Sequence, residues 1–175
     1  MAVLDVCLYP DDPLTRKADP VTDFGPDLAA LVADMFDTMD AFEGSGLAAP
    51  QVGVSQRFFV LRHPENNKKM CVVNPELSEF EGEVEAEEGC LSLPYVYAGV
   101  KRAQQVHVIG QDLHGQPLDF IATDWLARIM QHETDHLDGI VFPDRLDVLS
   151  REDKMGEWEA VRMRMRSASV EGVGG

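Results

Sequence analysis

The chain of 175 residues is 45% hydrophobic and 26% charged, the balance of one soluble domain with a sizeable core. Its 31 acidic against 15 basic residues give a formal net charge of −16, which excludes a nucleic-acid footprint spread over the whole surface. Three cysteines without the dense spacing of a disulfide framework fit a reducing compartment, and neither a secretory leader nor a run of membrane-spanning length is present, so a cytoplasmic protein with no membrane partner is expected.

Before Gly25, Pro10, Pro13 and Pro20 punctuate the sequence and predict an extended arm. Gly25 and Pro26 stand where an N-cap and a first helical residue belong. Leu28, Leu31, Val32, Met35, Phe36 and Met39 then recur at helical spacing and predict a first helix with a core-facing stripe. Beyond a glycine-rich segment, residues 57–61 and 70–73 read as short buried strands on either side of the polar loop 64–69. Residues 106–112 and 117–122 predict a hairpin turning at His114 and Gly115. From Thr123 or Asp124, either of which suits an N-cap, the period is helical until Gly139. Residues 151–166 predict a last amphipathic helix, and 167–175, SASVEGVGG, has the composition of a disordered tail. Helix, strands, helix in that order predicts an α+β fold forming a single domain over 1–166.

His132 and His136 are four apart in QHETDHLDG, an HExxH pattern, so on a helix they share a face and can hold one metal ion between them. This helix is expected at the centre of the fold, with short antiparallel strands packed around it. At about 100° per residue, Glu133 falls with Trp125, Leu126, Ile129, Met130 and Leu137 inside the apolar arc, while Arg128, Gln131, Thr134, Asp135 and Asp138 fall opposite. A buried carboxylate needs a partner or a function. The plain alternative, core histidines beside a surface glutamate, does not account for all three on one buried face. Cys90 in EGCLSLP is the candidate third ligand, because a thiolate with two imidazoles leaves a position open for water. Cys7 and Cys71, among apolar neighbours, read instead as small core residues. A Cys/His/His site accepts one divalent metal, Fe2+, Zn2+, Ni2+ or Co2+.

Three segments in order, GSGLAAPQ at 44–51, EGCLS at 88–92 and QHETDHLDG at 131–139, resemble the signature motifs of the peptide deformylase family, and the resemblance extends over residues 8–147. It implies an enzyme that removes the N-formyl group from the N-terminal methionine of nascent polypeptides, with ferrous iron in the cell. It implies Cys90, His132 and His136 as metal ligands, Glu133 as general acid/base, and Gln51 with the backbone N–H of Leu91 as the oxyanion hole. The implied roles are physically coherent. Coordination lowers the pKa of a water for attack on the formyl carbon, Glu133 takes and returns a proton, and the two N–H donors stabilise the oxyanion. Gly44 and Gly46 permit close backbone approach, and the run from Leu47 to Gln51 reads either as a strand edge for an extended substrate or as a tight turn; the resemblance favours the edge. Ile129, on the histidine face, is the candidate lining residue of a methionine pocket.

The sequence departs from the family at Ser45, where a larger aliphatic residue is usual, and at Tyr97, near where a basic residue often follows EGCLSLP; that basic role is not transferred to Tyr97, Lys101 or Arg102. Glu43, Glu88 and Gln131 flank the motifs and are candidates to orient ligands, against the commoner case of exposed polar residues. His63, His107 and His114 lack ligand spacing and read as surface histidines. The rival readings are a zincin-type endopeptidase, disfavoured because no histidine or cysteine follows His136, and a structural metal or binding module, disfavoured because closed sites take four protein ligands. Five basic residues in 151–166, a local reversal in an acidic chain, raise a contact with ribosomal RNA beside a plain solvated face.

Overall fold

The computed structural model describes residues 2–174, with side chains described through residue 168. Gly25 is the N-cap of helix α1 (Pro26–Ala41), with Pro26 in the first turn where its missing N–H costs no helical hydrogen bond. The strands are β1 (Gly46–Ala48), β2 (Phe58–Arg62), β3 (Lys69–Glu81), β4 (Val84–Cys90), β5 (Leu93–Arg102), β6 (Gln105–Gln111) and β7 (Pro117–Thr123). Helices α2 (Asp124–Leu137) and α3 (Val148–Gly174) follow, so the fold is α+β with antiparallel sheets and three helices.

Five strands form one antiparallel sheet in the order β1-β2-β3-β6-β7, and β4 with β5 makes a separate two-stranded hairpin. The apolar run of β2 is buried on both sides because helices cover both faces of the sheet. Phe59 and Leu61 pack with Val72, Val106, Val108 and Ala122 against Ala127, Met130 and Leu137 of α2. Phe58 and Val60 alternate to the other face and meet Leu28, Val32, Met35 and Met39 of α1. Burying each large side chain stabilises the fold by about 1.5–3 kcal/mol, so a slip of one residue in β2 would exchange the partners of both layers. A third cluster joins the hairpin to α3, with Leu93, Val96 and Val100 against Val141, Phe142, Trp158 and Val161.

The N-terminal arm is extended apart from a 3-10 turn at Asp12–Thr15, and it strings the later segments together through its backbone. Cys7 N donates to Gln51 O, Tyr9 N to Ser92 O and Ala18 N to Leu137 O. Each acceptor lies in or beside a different sequence motif.

Four expectations are corrected. The strand over 70–73 runs on to Glu81, with Asn74 and Pro75 accommodated as an irregularity in the β3–β6 register. The hairpin β4–β5 is not among the sequence expectations; its first strand, VEAEEGC, offers only Val84 and Ala86 in alternation, and its one buried side chain is Glu88. The expected strand edge from Leu47 to Gln51 is a strand only over Gly46–Ala48, after which Ala49–Val52 tightens into a 3-10 turn around Pro50. Helix α3 begins before residue 151 and continues through Gly174, where a tail was expected over 167–175. A helix already anchored by the burial of Trp158 and Val161 propagates through weak formers at little cost. Gly175 lies outside the described residues.

Candidate metal centre

Helix α2 carries His132 and His136 on successive turns, and β4 ends at Cys90. The hairpin lies along the helix so that one ligand atom from each of Cys90, His132 and His136 falls within 4.8 Å of the others. Cys90 Sγ is 3.3 Å from His136 Nε2, and the two imidazole centroids are 5.1 Å apart. His132 Nδ1 lies 2.8 Å from Glu88 Oε1 and donates to it, which leaves Nε2 of that ring free to ligate. The buried Nδ1 of His136 has no hydrogen-bond partner among the described residues. One thiolate and two imidazoles, one of them oriented by a carboxylate, suit a borderline divalent ion, so the residues fit a metal.

Burial disfavours charge on His136, and the neighbouring His132 and Arg102 add to that, holding its pKa well below the ordinary value. Burial acts the same way on His132 but is outweighed by its contacts with Cys90 and Glu88, which raise it. Glu133 is 3% exposed, and burial pushes its carboxyl up to about 7 against the opposing pull of His132. A Cβ on Gly46 would stand 3.1 Å from the Cγ, Cδ and Oε2 atoms of Glu133, so a side chain there would push this carboxylate by a few tenths of an ångström. Gly44 sits likewise against Leu91, at 3.2 Å from a built Cβ to Cδ1.

Gln51 is buried in the 3-10 turn after β1. Its Oε1 accepts from Ala48 N at 2.9 Å, which turns its Nε2 to donate to Ser92 Oγ at 3.2 Å and toward Cys90 Sγ at 3.5 Å. A cavity of about 490 Å³ adjoins these groups, lined among others by Gly46, Gln51, Cys90, Ile129, His132 and Glu133. Gly44 and Leu91 line it as well. Leu47 does not: its side chain is in the α1 core cluster, so only its backbone can meet a ligand. β1 is the outermost strand of the five-stranded sheet, which leaves its second backbone edge outside the ladder.

The side of α2 expected to face solvent is covered. Arg128, Gln131 and Asp135 are buried, and Trp125, placed in the apolar arc, is instead 45% exposed at the cavity. The reason is the hairpin, whose Glu88 and Arg102 form a buried ionic cluster over that side. Glu88 accepts from Arg102 Nε and Nη2, each at 2.9 Å, and from Arg128 Nη1 at 2.6 Å. Arg102 Nη1 and Arg145 Nη2 donate to the two oxygens of Asp135, both at 2.6 Å. The Arg102 guanidinium and His132 hold the Glu88 carboxyl well below the usual carboxylate range despite its burial. Gln131 binds the backbone of Ala103 and does not touch the ligands, while Glu43 is exposed at the cavity. Sequence reasoning considered Glu88 but missed Arg102, Arg128 and Asp135 as its companions; no local spacing connects them. Cys71 and Cys7 are partly buried free thiols; Cys71 packs against the α1 core cluster, as expected, whereas Cys7 belongs to none of the three clusters. His114 is exposed, whereas His107 is partly buried and bonded to Asp119 at 2.6 Å.

The sequence profile of the polypeptide deformylase family matches residues 3–152. A peptide deformylase of Thermodesulfovibrio yellowstonii is 43% identical over 155 residues, covering 87% of this chain and 94% of that protein. Peptide deformylase 1 of Corynebacterium glutamicum is 46% identical over 159 residues, covering 89% and 94%. The crystal structure of peptide deformylase from Thermus thermophilus superposes with a TM-score of 0.88 at 42% identity, over 95% of this chain and 99% of that one. A match across nearly the whole length, over a fold that gathers Cys90, His132 and His136 within 4.8 Å of one another, makes this chain a member of the polypeptide deformylase family and an enzyme of that kind.

Proposed function

We propose that the chain hydrolyses the formamide of N-terminal formyl-methionine in newly made polypeptides, releasing formate and a free amine. The observation that carries this reading is the grouping of Cys90, His132 and His136 within 4.8 Å, beside a cavity lined by Glu133 and Gln51. A divalent ion held by those three side chains, iron in the cell with Zn2+, Ni2+ or Co2+ as substitutes, supplies a water of lowered pKa and positive charge beside the reacting carbonyl. Glu133 takes the proton of the attacking water and returns it to the departing amine nitrogen. Gln51 Nε2 and the backbone N–H of Leu91 donate to the oxygen that gains charge as the carbon becomes tetrahedral. Gly44, Gly46 and the backbone of Leu47 offer the extended peptide a strand edge, and Ile129 lines an apolar pocket for the methionine side chain.

In this proposal residues 1–166 are the catalytic domain, α2 is its central helix and the cytoplasm is the working compartment. No helix of the described residues is long and apolar enough to cross a membrane. A finer proposal is that α3 docks on ribosomal RNA. Arg151, Lys154 and Arg162 pair with Asp144, Glu157 and Glu159, which leaves Arg164 and Arg166 without a carboxylate partner among the described residues. Co-sedimentation with ribosomes that weakens with salt supports this, and salt-independent or absent binding dismisses it.

The deciding experiment is formate release, with mass spectrometry of the products, from formyl-Met, acetyl-Met and unblocked peptides of otherwise equal sequence. The proposal predicts turnover of the formyl peptide alone. Cleavage of internal bonds at a comparable rate would make the chain an endopeptidase.

A further inference from the structure

Arg128 stands on α2 one turn before His132 and two turns before His136, so the three side chains follow one another along one side of the helix. The β4–β5 hairpin meets them in the same order. Arg128 Nη2 donates to Val84 O at 2.6 Å, and its Nη1 to Val100 O at 2.8 Å and to Glu88 Oε2 at 2.6 Å. His132 then meets Glu88, and His136 meets Cys90. Val84 and Val100 lie toward the open end of the hairpin, and Cys90 lies at its closed end opposite Leu93. Arg128 is 5% exposed, so these bonds are made away from water.

We propose that Arg128 is a positioning residue, which fixes the Cys90 thiolate against His132 and His136 by holding the open end of the hairpin and Glu88 to helix α2. The inference rests on reading those three side chains as a metal site. The hairpin belongs to no larger sheet, and a two-stranded ribbon is marginal by itself, so ties to its surroundings set its angle to the helix. Arg102 makes one tie, through Glu88 and Asp135. The carbonyls held by Arg128 add a tie at the open end to those that His132 makes through Glu88 and that the apolar cluster with α3 makes through Leu93, Val96 and Val100. From Val84 to Cys90 the strand is a lever of roughly 20 Å, so a swing of about 5° displaces the thiolate by about 1.7 Å. Metal–ligand distances tolerate only about 0.2 Å. A planar guanidinium can serve three acceptors at once, whereas an ammonium is a compact point charge.

The test is Co2+ affinity, together with the visible thiolate-to-cobalt band, of the full-length Arg128→Met and Arg128→Lys proteins at a temperature where circular dichroism shows both folded. Arg128→Met is expected to bind Co2+ about tenfold to a hundredfold more weakly, with a shifted band, and Arg128→Lys to fall between it and the parent. Parent-like affinity and band in folded Arg128→Met, with only the melting temperature lowered, would reduce Arg128 to a structural role and overturn the proposal. Should Arg128→Met fail to fold, Arg128→Lys decides alone: weaker binding with a shifted band supports the proposal, and parent-like values overturn it. A parent protein that binds no metal overturns both this inference and the metal-site reading, whereas a binding parent with unaffected variants overturns this inference alone.

Discussion

Glu88→Gln removes one charge from a position that receives four donors. The parent carboxylate accepts on Oε1 from His132 Nδ1 and Arg102 Nη2, and on Oε2 from Arg102 Nε and Arg128 Nη1. The amide keeps one acceptor oxygen and turns an NH2 toward donors it cannot satisfy. Breaking a buried ion pair from one side costs about 3–5 kcal/mol, a large share of the roughly 5–15 kcal/mol that separates folded from unfolded domains. In a domain of this size that corresponds to a fall in Tm of about 6–20 °C. Metal affinity should fall about tenfold to a hundredfold as well, because His132 loses the acceptor that orients it. The folded carboxyl titrates well below its ordinary 4.5, so its contribution is complete above that pH and is lost as the pH falls toward the depressed value. Thermal melts at neutral and acid pH, beside metal analysis, test this. A Glu88→Gln protein with the parent's Tm and metal content would show that the cluster contributes nothing.

Other outcomes follow from single contacts. Gly46→Ala places a methyl 3.1 Å from the Glu133 side chain, which must give by a few tenths of an ångström, and should lower kcat by less than the roughly 10²-fold that a misplacement of about 1 Å costs while metal content is unchanged; parent-like kcat would show that Glu133 shifts without consequence. Burial, with Asp112 adding to it, pushes the Cys71 thiol from 9.0 up to about 12, so at about pH 8 iodoacetamide should modify it only after unfolding, read by peptide mass spectrometry. The raised value also means that its stabilising effect is present below 9.0 and lost as pH rises toward 12. Trp158→Ala empties a fully buried site and removes the bond from Nε1 to Tyr9 O, which should cost about 3–5 kcal/mol in urea unfolding; a parent-like midpoint would show that the site is not tightly packed.

Apolar periodicity made α1, the β6–β7 hairpin and α2 legible, and a short continuous apolar run did the same for β2, which is buried on both faces. The hairpin β4–β5 was not, since Glu88, its one buried residue in VEAEEGC, is held by ion pairing and not by apolar packing. That omission propagated: without the hairpin, the wheel of α2 had only one side to bury, and Arg128 and Asp135 fell to solvent. Partners separated by 14 to 40 positions, as Glu88 is from Arg102 and Arg128, leave no trace in local spacing. The grouping of the candidate ligands was foreshadowed better, because HExxH spacing on a helix dictates a shared face and the cysteine motif supplied the third donor. What that spacing did not foretell is the close approach of Gly46 to Glu133, a side chain from another segment.

The proposed chemistry turns on Glu133, which is buried against β1 while Cys90, His132 and His136 supply the candidate ligands. The most direct measurement is metal content beside kcat on a formyl-Met peptide for Glu133→Gln. The predicted result is a protein that retains its metal and loses roughly 10²–10⁴-fold in kcat, since proton transfer in both directions is removed and the ligands are untouched. A metal-loaded Glu133→Gln protein within about threefold of the parent rate would contradict the account and give the acid/base role to another group.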